Sequence, residues 1–187
     1  EAHNLEEAAV SRYGCEVSSA RIVSLCDEAR TTSKLSGDEA LLRASDEAEN
    51  AGTQFLRELA SAHDLKGREE ESSGRLLIKT PEKAPMELLN LEAAPAHSVA
   101  REEGRAWEMD LRALHARAAQ LGHDLAEILS PSPDAARWVA WPNSGPELRA
   151  APLDVGRRLS EGLFSRAIPV ILTSATLSSG DGLGDFK

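Results

Sequence analysis

Along two stretches of this 187-residue chain, core-type positions recur at alternating intervals of four and three. Between Asp38 and Ala62 they are Leu41, Ser45, Ala48, Gly52, Phe55, Leu59 and Ala62. Between Val99 and Leu129 they are Trp107, Leu111, Leu114, Ala118, Leu121, Leu125 and Ile128. A 3.5-residue repeat is the seam of a helix packed in coiled-coil fashion, and two long seams of one period predict one long antiparallel helix pair. Small residues dominate the first seam and large ones the second, which suits interlocking at close approach. Ser45 can be buried there if its hydroxyl bonds back to a carbonyl of the preceding turn. Neither seam carries a carboxylate or histidine at these positions, so both read as core rather than as a ligand cage.

Around these seams the pattern is more broken. Leu5 to Ala29 is mostly helix-compatible, with Ile22, Leu25, Cys26 and Ala29 on one face and Gly14 as a candidate break. Thr31 to Gly37 reads as a polar linker, with Ser36 or Asp38 available to cap the helix that follows. Lys66 to Pro95 reads as an exposed, mobile loop that opens with the charged run Gly67 to Gly74. Within it Leu76-Leu77-Ile78 is a candidate short strand ended by Thr80-Pro81, and Met86 to Leu91 supports a helical turn or two. Ser130-Pro131-Ser132-Pro133 stops the second long helix.

The last third changes character. Trp138-Val139-Ala140-Trp141 and Glu147 to Ala151 read as two strands joined by the turn Pro142 to Pro146. Asp154 is placed to cap a helix carrying Val155, Leu159, Leu163 and Phe164, packed on a sheet. Ile168 and Val170 to Leu172 then form an apolar run around Pro169, the pattern of a strand buried on both faces, and such strands belong to parallel sheets covered by helices. In open α/β sheets ligands sit beyond the carboxyl ends of the strands, which draws attention to Thr173, Ser174 and Thr176.

Glu1-Ala2-His3 at the start resembles a DEAH box that lacks its first Asp, and Ser174-Ala175-Thr176 resembles an SAT motif. In this order the pair looks like motifs II and III of a superfamily 2 helicase. The run from Arg137 to Phe164 is similar to the segment before the SAT motif in DinG-type and XPD-like DNA helicases. About 170 residues part the two motifs, whereas DEAD and DEAH RNA helicases have only a few tens; in the DinG and XPD group the gap holds a helical insertion, the Arch domain. The resemblance implies three parts: residues 1–9 as the end of motif II, 10–135 as an Arch-like insertion, and 136–187 as the return into motor domain 1. The implied fold is a mainly α insertion, a long antiparallel helix pair, attached to part of a RecA-like α/β P-loop NTPase motor.

From the same resemblance come the chemical roles. Glu1 matches the general base for ATP hydrolysis, in the vicinity of Mg²⁺ and ATP, and His3 the residue linking the nucleotide site to motif III. Ser174, Ala175 and Thr176 match the coupling motif, whose hydroxyls pass the state of the γ-phosphate towards the DNA path. The motif II Asp and the P-loop are not in this sequence, so the chain by itself is expected to be inactive. The implied parent is a 5′ to 3′ motor on single-stranded or forked DNA, a monomer serving DNA repair in a bacterial, nucleoid-associated cytoplasm. The iron–sulfur cluster of XPD-like helicases belongs upstream of the DEAH box. A non-catalytic helical interaction module is the alternative from another class.

Composition narrows the picture further. No apolar run approaches the roughly 18 residues of a membrane span, and no signal peptide pattern is present, so the sequence reads as soluble and intracellular. Cys15 and Cys26, 11 residues apart, would lie about 16 Å apart along one helix, too far for a disulfide. The formal charge is −10, and residues 1–135 carry 15 basic against 26 acidic side chains. A surface that grips phosphates nonspecifically is basic, so the insertion reads as a wall or gate around a strand held elsewhere. Two chemical decoys fall away. Gly180-Asp181-Gly182-Leu183-Gly184 has neither the G-x-G-x-x-G spacing nor a P-loop Lys, and His63, His97, His115 and His123 show no metal-ligand spacing.

Overall fold

The structure, a computed structural model, describes residues 5–63, 76–77, 83–101, 106–130, 132–167 and 169–171. Within them the chain is mostly helical with a small antiparallel sheet, and it divides into two compact units. The larger holds Cys15–Pro133 with Arg137–Ala150, and the smaller holds the flanking segments. No helix is long and apolar enough to cross a membrane among the described residues.

In the larger unit, helices α2 (Ser19–Ser36), α3 (Glu39–Ala62), α4 (Met86–Arg101) and α5 (Glu108–Leu129) each pack on the next, and α2 also meets α5. Contacts between their ends fix the directions. Asp38 at the start of α3 meets Ser98 near the end of α4, and Arg21 at the start of α2 meets Asp124 near the end of α5. Successive helices therefore run antiparallel, the up-down-up-down arrangement of a four-helix bundle.

The two seams are present, but they do not form the single pair that their common period predicts. α3 lies against α2 and α4, and α5 against α4 and α2, so both seams face one shared core. The physical reason is α4, whose Leu88, Leu91, Pro95 and Ser98 form a buried stripe of their own. Sequence reading ends the helical turn before Pro95, yet α4 runs through it. A proline lacks the N–H for one helical bond, but here its ring fills the buried stripe. In α3 the buried line follows Leu41, Ser45, Ala48 and Gly52, then passes to Leu56, Leu59 and Ala60 rather than Phe55 and Ala62. A straight helix of 3.6 residues per turn drifts from a 3.5 repeat in this way. Ser45 Oγ donates to the carbonyl of Leu42 at 2.7 Å, which satisfies the buried hydroxyl.

The polar run Thr31 to Ser36 is helix rather than linker. Its hydroxyls bond back to carbonyls of the same helix, Thr31 to Asp27 and Ser36 to Thr32, both at 2.9 Å, so they extend the helix instead of unwinding it. Gly37 ends it at φ 70°, the left-handed conformation that glycine adopts without a Cβ penalty. Asp38 then starts α3, its side chain accepting from the N–H groups of Ala40 and Leu41 at 3.0 and 3.1 Å.

The sheet has strand order β1-β4-β3-β2, with β1 Cys15–Ser18, β2 Leu76–Leu77, β3 Ala135–Ala140 and β4 Glu147–Pro152. β1 pairs antiparallel with β4, Val17 opposite Leu148, and β2 with β3, Leu76 opposite Val139. Cys15 is thus on a strand, not in the helix that the sequence suggests, and both cysteines are free. Val17, Val139 and Leu148 join the helical core, with β1 lying on α5.

In the smaller unit α1 (Leu5–Tyr13) packs on α6 (Val155–Leu159), which Asp154 caps through the N–H of Arg157 at 2.8 Å. A single wide π turn, Ser160–Phe164, follows. The expected buried parallel strand is not formed among the described residues. Pro169, Val170 and Ile171 are irregular and exposed, Ile171 at 84%. A strand needs a ladder partner, and among the described residues β1 pairs with β4 and β2 with β3, both antiparallel.

Two substitutions test the packing. A Cβ on Gly52 would stand 3.1 Å from Ile22 Cδ1 and 3.3 Å from Leu88 Cδ1, so Gly52→Leu should cost about 1–3 kcal/mol in urea unfolding through overpacking. Asp38→Ala removes the cap and leaves buried Ser98 without its carboxylate partner, with an expected loss of about 1–3 kcal/mol. Midpoints equal to the parent chain would contradict both.

Candidate functional site

Glu1, His3, Ser174, Ala175 and Thr176 lie outside the described residues, as do the loop Gly67 to Gly74 and the glycine-rich turn Gly180 to Gly184. The structure does describe the elements that stand next to the motif residues in sequence. α1 begins at Leu5, two residues after His3, and 169–171 precede the SAT-like residues. Residues 5–14 and 151–167 are assigned to one compact unit, with Tyr13 of α1 against Gly162 of the π turn. The chain there is further held by the N–H of Leu153 on the carbonyl of Asp134 at 2.8 Å.

Within the helical body, the polar side chains brought together form ion pairs. Arg21 donates to Asp124 Oδ2 at 2.6 Å and to the carbonyl of Glu16 at 2.5 Å, while Gln120 donates to Asp124 Oδ1 at 2.7 Å. Asp124 is buried, and both of its oxygens are thereby satisfied, which is what a charge removed from water requires. Arg30 on α2 holds three carboxylates, Asp27 at 2.9 Å, Asp46 at 2.8 Å and Glu49 at 2.5 Å. The hydrogen bond to Asp46 leads in holding its guanidinium above the usual arginine range. Arg117 bridges to Glu28 at 2.6 Å, and Arg149 lies between Glu16 and Glu147 at 3.1 and 2.8 Å.

Between α2 and α5 runs an open groove of about 870 Å³, lined in part by Ser19, Ser24, Asp27, Thr31, Asp110 and Arg117. Val23 and Leu35 add apolar surface, and Asp27, Glu28 and Asp110 outnumber Arg117, so its charge is of the wrong sign for a phosphate backbone. Among the described residues no group of three His, Cys, Asp or Glu side chains could hold a metal ion. His115 Nδ1 lies 3.0 Å from the carbonyl of Glu92, and His97 and His123 are exposed.

The ion pairs were not apparent in the sequence, apart from one signal. Asp124 falls between Leu121 and Leu125 on the buried stripe of α5, and a carboxylate at such a position must find a partner. Neither the partner Arg21 nor the three-carboxylate grip of Arg30 could be read from spacing. No known protein family model matches this chain, and no curated protein matches it significantly.

The cysteines give a test of the body's integrity. Burial, then the charge of Glu49, pushes the Cys26 thiol up to about 12, and burial also raises Cys15. A thiol raised on folding contributes stability that is whole below its unfolded value of about 8.5 and is lost as pH rises towards the folded one. Unfolding free energy should therefore fall between about pH 8.5 and 12, and Cys26→Ala should flatten that fall. Half-buried Cys15 should react with a thiol reagent before Cys26, which reacts only as the bundle opens; equal native rates would contradict this.

Proposed function

We propose that the chain is part of an ATP-dependent DNA helicase of the DinG and XPD type. On this reading Glu1 and His3 are the end of its DEAH box, the helical body is an Arch-like insertion, and Ser174, Ala175 and Thr176 are motif III of a RecA-like motor domain. The observation that carries it is the order of parts along the chain. A helical body with its own core is inserted between two segments that are themselves assigned to one separate unit, and the DEAH-like and SAT-like residues stand outside it on either side.

The charge of the helical body supports a role as wall or gate. Arg21, Arg30, Arg117 and Arg149 are each engaged by at least one carboxylate, so they are not free to neutralise phosphates, and grip on DNA is assigned to the motor domains. A nucleotide site needs a phosphate cradle, a carboxylate for Mg²⁺ and a base for water. The donors of this chain do not suffice for it: Glu1 supplies only the base, and the P-loop and motif II Asp are assigned to the rest of the motor.

The second reading, a non-catalytic helical interaction module, draws on the self-contained core of the helical body. Hydrolysis separates the two. This chain alone should release no phosphate from ATP above a no-protein control. In the parent helicase, Glu1→Gln should lower ATP hydrolysis by about 10²–10⁴-fold while leaving single-stranded DNA binding in place. Unchanged hydrolysis in that variant, or release by the chain alone that Glu1→Gln abolishes, would overturn the assignment.

A further inference from the structure

The β1–β4 edge contains a charge arrangement that the helical packing does not use. Glu16 on β1 stands directly opposite Arg149 on β4 in the strand register. Arg149 is the single cation between two carboxylates, with one nitrogen 3.1 Å from Glu16 Oε2 and its Nε 2.8 Å from Glu147 Oε1. The two acids differ in their surroundings. The side chain of Glu16 is 48% exposed and that of Glu147 only 7%. The Nε–H of Arg149 makes no aligned hydrogen bond despite its closeness, so the buried carboxylate is paired by charge rather than by good geometry. Glu147 is buried while Arg149 stays 39% exposed, so the desolvation cost falls chiefly on the acid.

The edge also carries structural duty. Ser18, opposite Glu147, caps α2 through the N–H of Arg21 at 3.3 Å. The carbonyl of Pro146, beside Glu147, accepts from both the N–H and the hydroxyl of Ser19, at 3.2 and 3.1 Å. A change in the ladder here is thus felt at the start of α2.

We propose that the β1–β4 edge is a proton-sensitive clasp in which Glu16 and Glu147 compete for Arg149, tight when Glu147 carries a proton and looser when both acids are charged. Proton uptake removes the charge of the buried acid and leaves the guanidinium to Glu16. The charged groups around the clasp are Glu16 from β1, Arg149 from β4 itself, Arg21 from α2 on the carbonyl of Glu16, and Asp124 from α5 holding Arg21. Burial, with Glu16 adding and Arg149 opposing, raises Glu147 above its ordinary value. For a carboxyl raised on folding, the associated stability is complete below the ordinary carboxyl range and is lost as pH rises through the folded value. The clasp therefore loosens towards neutrality.

Amide hydrogen exchange of the whole chain tests this, with protection of Cys15–Ser18 and Glu147–Ala150 measured relative to amides of α3 between about pH 4 and 8. Relative protection of the two strands should fall several-fold across the range in the parent chain. Glu147→Gln should abolish the pH dependence and raise strand protection at neutral pH. Glu16→Gln, which leaves Arg149 to Glu147, should move the transition to lower pH. A flat parent profile, an unchanged profile in Glu147→Gln, or no movement in Glu16→Gln would overturn the clasp.

Discussion

Asp38 ties three helices together, and the order of the helical body depends on it. Its N–H donates to the carbonyl of Ser33 at 3.1 Å and its own carbonyl accepts the Ser33 hydroxyl at 2.6 Å, which closes the end of α2. Its carboxylate caps α3 with one oxygen and accepts the hydroxyl of Ser98 on α4 with the other. With Gly37 in the left-handed region, the chain reverses over two residues, so α2 and α3 must lie side by side. Ser98 then fixes which way α4 runs along them. The apolar stripes supply the driving force for packing, and this polar knot selects one arrangement of them.

Where the helices approach most closely, side-chain size takes over. Gly52 admits Ile22 from α2 and Leu88 from α4 against the backbone of α3, so three helices share a core that a larger residue would hold apart. α2 and α5 are linked differently, by Arg21 with Asp124 and Arg117 with Glu28. Arg117 lines the groove and is paired there with Glu28. Arg21, Arg30, Arg117 and Arg149 are thus each paired with a carboxylate in a body that is acidic overall.

The long seams were legible because a repeat sustained over many turns outweighs local ambiguity. Asp154 was legible as a cap, and Asp38 as one of two candidates with Ser36, because a short polar side chain before a helix favours that role. The extent of α4 was not: only Met86 to Leu91 read as a helical turn or two, whereas the helix runs on through Pro95, whose ring fills a buried stripe. Nor was β1: Cys15 to Ser18 sits between two helices and becomes a strand only by pairing with residues Glu147 to Ala150 far along the chain. The apolar run around Pro169 carries the pattern of a buried strand, yet pattern alone cannot supply the neighbour that a ladder needs. For the candidate site, Glu1, His3, Ser174 and Thr176 were marked out by order and spacing alone, and they lie outside the described residues. The partners of Arg21, Arg30 and Arg149 were not, because ion pairs across helices leave no periodic trace.

The central claim is that the helical body interrupts a helicase motor between motifs II and III. It is tested most directly by sequencing the source DNA immediately upstream of the Glu1 codon. The account predicts an in-frame Asp codon directly before Glu1, preceded by codons for an apolar strand and, further upstream, for a Gly-Lys-Thr or Gly-Lys-Ser loop. A reading frame that opens at this point, or one lacking those residues, would contradict it and leave a helical module without a motor.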